Sequence, residues 1–109
     1  MLTWDQVYQA IGAAAGVAPE LVHVPSDFIS ALDPEARGPL LGDKANCAVF
    51  DNTKVKSLVP GWAATVPFSE GVRRAVEWFE SDPRRQTVDD AFNAAADRII
   101  QAYERARPG

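Results

Sequence analysis

Few residues in this chain have the types and spacing needed for chemistry. His23 and Cys47 are its single histidine and single cysteine. One cysteine has no intrachain disulfide partner, and one Cys with one His falls short of the four ligands of a structural zinc. His23 lies in an apolar run with no positioned partner, so a hydrogen-bonded structural role is expected in place of acid/base work. Cys47 reads as a small buried hydrophobe. Asp51 and Lys54 open a short helix, which makes Asp51 a cap and Lys54 a surface group of the first turn. The pairs Arg73-Arg74 and Arg84-Arg85 are interleaved with Glu70, Glu77, Glu80 and Asp82, so they do not form an anion-binding field. Gly12-Ala13-Ala14-Ala15-Gly16 has glycine-loop composition, but a dinucleotide loop follows a strand and opens a helix, whereas these glycines close one. The irregular stretch from Glu35 to Asn46, with Gly38, Pro39, Gly42 and Asp43, is the first place to look for binding groups, because loops on a rigid scaffold often carry them.

The elements that must position these residues are legible from caps and periodicity. Thr3 and Gln6 form a capping box, with Leu2 and Val7 at the staple positions. A helix starts near Trp4 with a stripe of Trp4, Val7, Tyr8, Ile11 and Ala15, and ends at Gly16. Leu21-Val22-His23-Val24 reads as a short strand ended by Pro25. Ser26 or Asp27 caps a helical turn through Phe28, Ile29 and Leu32, which Asp33-Pro34 stops. Cys47-Ala48-Val49-Phe50 reads as a second strand. Asp51 or Asn52 then caps a short helix that ends before Pro60, and Gly61-Trp62 is a turn. Ala64-Thr65-Val66 reads as a third strand. Ser69 caps a helix with Glu70 in its first turn and with Val72, Val76 and Phe79 on one face. The last helix restarts at Thr87, with Asp90 at the capping-box position and Val88, Phe92, Ala96, Ile99 and Tyr103 on its stripe. Trp4, Trp62 and Trp78 are expected to anchor the core.

Composition sets the outer bounds. The chain has 109 residues, with 11 basic and 15 acidic side chains and a formal charge of −4, which argues against a groove for nucleic acid. No stretch approaches the roughly 20 apolar residues of a membrane-spanning helix, and no signal peptide is read at the N-terminus, so a cytoplasmic location is expected. Length and the lack of linkers or repeats point to one domain of residues 1–109. The expected fold class is α+β, a mostly helical small domain with a few short strands.

Several strings, taken in order, carry a family resemblance. Val49-Phe50-Asp51-Asn52-Thr53-Lys54-Val55 is followed by Leu58-Val59-Pro60-Gly61-Trp62, and then by the run from Val66-Pro67-Phe68-Ser69-Glu70-Gly71 to Trp78-Phe79. This set resembles the C-terminal region of NAD-dependent epimerase/dehydratase proteins of the extended and atypical short-chain dehydrogenase/reductase group. The resemblance covers about residues 2 to 80, and its motifs are more specific as an ordered set than singly. It implies a substrate-binding C-terminal lobe lacking the N-terminal Rossmann domain, with NAD or NADP held on that missing domain and none by this chain.

The family's catalytic Tyr-x-x-x-Lys pair has no counterpart, since Gly12 and Arg107 stand four positions after Tyr8 and Tyr103. No catalytic residue and no metal site is therefore assigned. The family's Arg-x-Gly-Asp phosphate grip matches only in part, as Leu40-Leu41-Gly42-Asp43. By this resemblance Arg37, Asp43 and Lys44 are the candidate substrate-binding residues, with Arg37 or Lys44 supplying the charge that Leu40 lacks. The implied function is that of the substrate-binding domain of an NAD(P)-dependent sugar or sugar-nucleotide epimerase/dehydratase, not catalytic alone. Its expected partners are a sugar-like substrate, the Rossmann domain and further copies through an exposed face, without nucleic acid or membrane. A stand-alone helical protein-interaction module is the alternative from another class.

Overall fold

Thr3 begins the fold as its residue type requires. Its hydroxyl accepts from the Gln6 amide at 3.2 Å, while the Gln6 side chain accepts from the Thr3 amide at 2.9 Å, closing the capping box. In the computed structural model, which describes residues 1–107, helix α1 runs Trp4–Ala15. Gly16 ends it at φ 72°, and the Val17 amide bonds back to the Gly12 carbonyl at 2.9 Å, a Schellman-type stop that favours glycine. The helices that follow are α2 (Ser26–Leu32), the short α3 (Arg37–Pro39), α4 (Thr53–Leu58), α5 (Phe68–Glu80) and α6 (Asp90–Ala106). Turns of 3-10 type lie at Pro34–Ala36 and Pro83–Arg85, and a π turn lies at Leu40–Lys44.

The chain forms two compact units. One comprises Met1–Leu21 with Val49–Thr87, the other Val22–Ala48 with the segment from Val88. In the first unit α1 packs on α5. Val7, Ala10, Ile11 and Ala14 make the half-buried face of α1, and Val72 and Val76 that of α5, both at helical spacing. Pro60 and Gly61 form a tight turn closed by the Trp62 amide donating to the Val59 carbonyl at 3.1 Å, with Gly61 at φ 82° as such a turn needs. In the second unit α2 packs on α6, and Phe28 meets Tyr103 edge to face with ring centroids 5.3 Å apart.

The α+β expectation is overturned, because no strand occurs among the described residues. Leu21–Val24, Cys47–Phe50 and Ala64–Val66 are extended or irregular segments. Their composition is β-rich, but a strand exists only by pairing. Runs of three or four residues, two of them stopped by Pro25 and Pro67, offer too little edge to pair. The opposite correction applies to Glu35–Asn46, read as an irregular loop and found as successive helical turns. Pro34 and Pro39 fall in first turns, where a missing N–H breaks no helical bond, so neither disrupts helix.

Local starts also shift. Helix α5 begins at Phe68 after Pro67 without a side-chain cap from Ser69. Helix α6 begins at Asp90, two to three residues later than expected, because the Asp89 carboxylate accepts from the Phe92 amide at 2.9 Å. Cys47 is exposed and not buried. The tryptophans do not anchor a core: Trp4 and Trp78 are 63 % and 62 % exposed, and no hydrophobic side chain among the described residues is fully buried. The longest helices of each unit, α1 with α5 and α2 with α6, meet on one face only, which half-covers an apolar stripe where a further layer would enclose it. No helix among the described residues is long and apolar enough to cross a membrane.

Candidate functional site

The groove of the second unit arises from a sequence stop. Asp33 ends α2, and its Oδ1 accepts from the Glu35 amide at 3.1 Å to start the 3-10 turn at Pro34. That turn stands beside α6, whose Ala95, Arg98, Ile99 and Ala102 share one face at spacings of three, four and seven. Together with Leu32, Asp33, Pro34 and Glu35 they line a groove of about 530 Å³. Its floor is apolar, Arg98 offers a guanidinium to anionic or hydroxyl oxygens, and Glu35 offers a carboxylate to hydroxyl donors. An apolar floor with a few converging polar groups, at this volume, suits a small polar molecule with one apolar face.

The expected site residues lie on the turns immediately after this wall. Arg37 begins α3, and Asp43 and Lys44 close the π turn. All three are exposed, and none lines the groove. Lys44 Nζ meets Asp43 Oδ2 at 3.4 Å, so these neighbours pair with each other in solvent, where such a pair adds little stability. Glu35 opens the stretch in which binding groups are expected, whereas the sequence reading does not single out Arg98, because the apolar stripe of its helix is defined without it. The available signal was Arg98 lying within the face set by Ala95, Ile99 and Ala102.

The remaining candidates resolve into structure. Asp51 Oδ1 accepts from the Thr53 hydroxyl at 2.6 Å and its amide at 2.9 Å, and these bonds hold its carboxyl below the usual carboxylate range. The N-cap position is Asn52, without a side-chain cap bond, so Asp51 is not the cap expected and instead bonds the first residue of α4 from one position further out. His23 is exposed on the extended segment before α2. Among the described residues no group of three His, Cys, Asp or Glu is arranged to hold a metal. Gly12 and Gly16 close α1, and no strand precedes them among the described residues, so this glycine pair is a helix stop and not a strand-to-helix phosphate loop.

The largest electrostatic perturbation lies on the exposed surface of α5. Glu70 accepts from Arg73 at 2.9 and 3.0 Å and from Arg74 at 2.7 Å, and Arg73 also bonds Glu77. The Arg73 and Arg74 hydrogen bonds bring the Glu70 carboxyl down to about 2 from an ordinary value of 4.5. Arg84 likewise bonds Asp82 and lowers its carboxyl, so Arg73, Arg74 and Arg84 are committed to local carboxylates, while Arg85 bonds the Trp78 carbonyl and the Ser81 hydroxyl. Because Glu70 stays ionised in the folded chain below its unfolded value, its contribution is complete above pH 4.5 and is lost as pH falls from 4.5 to 2. Glu70→Gln is therefore expected to lower stability modestly above pH 4.5 and to converge with the parent toward pH 2, which flattens the decline across that interval. Thermal melts followed by circular dichroism at stepped pH check this, and an unchanged acid limb refutes it.

No family model, no curated protein and no solved structure matches this chain.

Proposed function

We propose that this chain is the substrate-binding lobe of an NAD(P)-dependent epimerase/dehydratase that acts on a sugar or sugar nucleotide. In this reading the chain grips and orients the substrate, while NAD or NADP and the catalytic pair belong to a Rossmann domain outside these residues. The supporting observation is continuity: the wall of the groove at Asp33–Glu35 runs directly into the turns that carry Arg37, Asp43 and Lys44. An apolar floor can take the less polar face of a sugar ring while Glu35 and Arg98 take its hydroxyls, and Arg37 and Lys44 reach for phosphate.

The test is titration of the isotopically labelled chain with UDP-glucose and with free glucose, followed by NMR. Shifts are expected at Glu35, Arg98 and Ala102, and Arg37→Ala and Lys44→Ala should each weaken UDP-glucose binding by about three- to tenfold, the effect of one exposed charge-assisted bond. Shifts scattered away from the groove, or equal affinity in both variants, would refute the proposal.

A second reading, a helical protein-interaction module, is favoured by one observation: Trp4, Phe50, Trp78 and Phe92 all stand exposed. A defined protein partner recovered without any small-molecule binding would select it over the first.

A further inference from the structure

Capping chemistry predicts a helix start at Thr87, but α6 begins at Asp90 with Asp89 as its cap, so Thr87 is neither a cap nor a helical residue. Gln86–Asp89 is a non-helical segment that follows the 3-10 turn at Pro83–Arg85, and all four of its residues are exposed. The string Arg84-Arg85-Gln86-Thr87-Val88 therefore presents one accessible hydroxyl with guanidinium groups three and two positions before it and an apolar side chain directly after it.

Charge patterns at fixed offsets from a hydroxyl are what protein kinases read, and a kinase with acidic substrate pockets reads arginines in this placement. The parts of the pattern stand free for such a pocket. Val88 is 72 % exposed, and the Arg84 side chain is 89 % exposed, so its guanidinium can pass from Asp82 to a kinase carboxylate at small cost. A short non-helical segment of this kind can also lie extended in an active-site cleft, which a residue inside a helix cannot do without unwinding it.

We infer that Thr87 is a phosphorylation site for an arginine-directed protein kinase, and that its phosphate draws the Arg85 guanidinium off Trp78. In the transfer the Thr87 hydroxyl oxygen attacks the γ-phosphorus of ATP, and the bond from that phosphorus to the bridging oxygen breaks. ADP leaves with the electron pair, and the catalytic aspartate of the kinase takes the hydroxyl proton. The product carries about −1.5 to −2 charge two positions after Arg85. Asp89 and Asp90 stand on its other side, and their like charge turns the phosphate toward the arginines. Arg84 is already bonded to a carboxylate, whereas Arg85 bonds two neutral acceptors, the Trp78 carbonyl and the Ser81 hydroxyl. A phosphate offers that planar fork two charged oxygens in their place, and the guanidinium leaves the indole it now covers at 3.9 Å. The inference needs no ligand in the groove and is independent of the sugar-binding proposal.

The test is incubation of the full chain with ATP and the catalytic subunit of cyclic-AMP-dependent protein kinase, an arginine-directed enzyme, followed by mass spectrometry of the chain and its peptides. One phosphate is expected, on Thr87. Thr87→Ser should keep it, Thr87→Val should lose it, and Arg84→Ala should lower kcat/KM for the chain by about tenfold or more, the effect of one charge-assisted contact. A free peptide of residues 82–92 serves as the reference for accessibility, and the folded chain should react within about tenfold of its rate. Tryptophan fluorescence should change on phosphorylation of the parent and not of Trp78→Phe. A folded chain that resists the kinase while the peptide reacts, a phosphate on another residue, or full phosphorylation with unchanged fluorescence overturns the inference.

Discussion

Gly12→Val is expected to destabilise the first unit by about 2–3 kcal/mol, and Gly12→Ala by about 1–2 kcal/mol. At an ordinary mid-helix site glycine is a liability, and alanine there would gain about 1 kcal/mol of helix propensity. Gly12 reverses that sign. A Cβ placed on it would lie 2.7 Å from both Pro19 Cδ and the Val17 carbonyl oxygen, and 3.1 Å from Pro19 Cγ. Neither neighbour can retreat without loss. The Val17 amide is bonded to Gly12's own carbonyl, and Pro19 is a rigid ring held by the turn that Gly16 begins. The absent side chain is thus what lets the chain fold back over the end of α1. Urea unfolding midpoints at constant slope measure the effect, and a Gly12→Ala protein as stable as the parent would show that the contact relaxes freely.

The same contact shows what the sequence could and could not disclose. Thr3, Gln6 and Gly16 were readable because capping chemistry is local: each residue's partner lies within four positions. The close approach of Pro19 to Gly12 was not, since it depends on the path of a turn, and the glycine had been read only as part of a helix end.

The missing strands fail in the converse way. Leu21–Val24 and Cys47–Phe50 have strand composition, but the decisive quantity is a pairing partner elsewhere in the chain, which local composition does not encode. Burial proved least legible of all. Val72 and Val76 pack as their spacing implies, yet Trp78 and Phe92, with equal apolar content, stand exposed, because a stripe states which face should be covered and not whether anything covers it. The candidate site divides along the same line. The stop at Asp33-Pro34 was legible, whereas the groove it forms with Arg98 joins segments some sixty positions apart in sequence.

Arg85 is where a side chain, and not the backbone, decides how an element ends, and Arg85→Ala is expected to cost about 1–2 kcal/mol. Helix α5 carries Glu70 in its first turn but no basic residue in its last, so its carbonyl end lacks the usual internal compensation. Arg85 supplies it from the following 3-10 turn. Its Nη1 donates to the Trp78 carbonyl at 2.6 Å and to the Ser81 hydroxyl at 2.9 Å, while its guanidinium lies 3.9 Å from the centroid of the Trp78 ring. One planar cation therefore caps the helix end and stacks on one face of an indole that otherwise stands in solvent, which a lysine cannot do in the same pose. Arg85→Lys should recover less than half of the loss, although the charge is retained. Arg84→Ala, which removes a guanidinium that is itself 89 % exposed from its pair with Asp82, should cost less than Arg85→Ala. Thermal melts of the three variants, with Trp fluorescence reporting the indole's surroundings, distinguish these outcomes. Equal stability of Arg85→Ala and Arg84→Ala would mean that the stacked geometry contributes nothing beyond its charge.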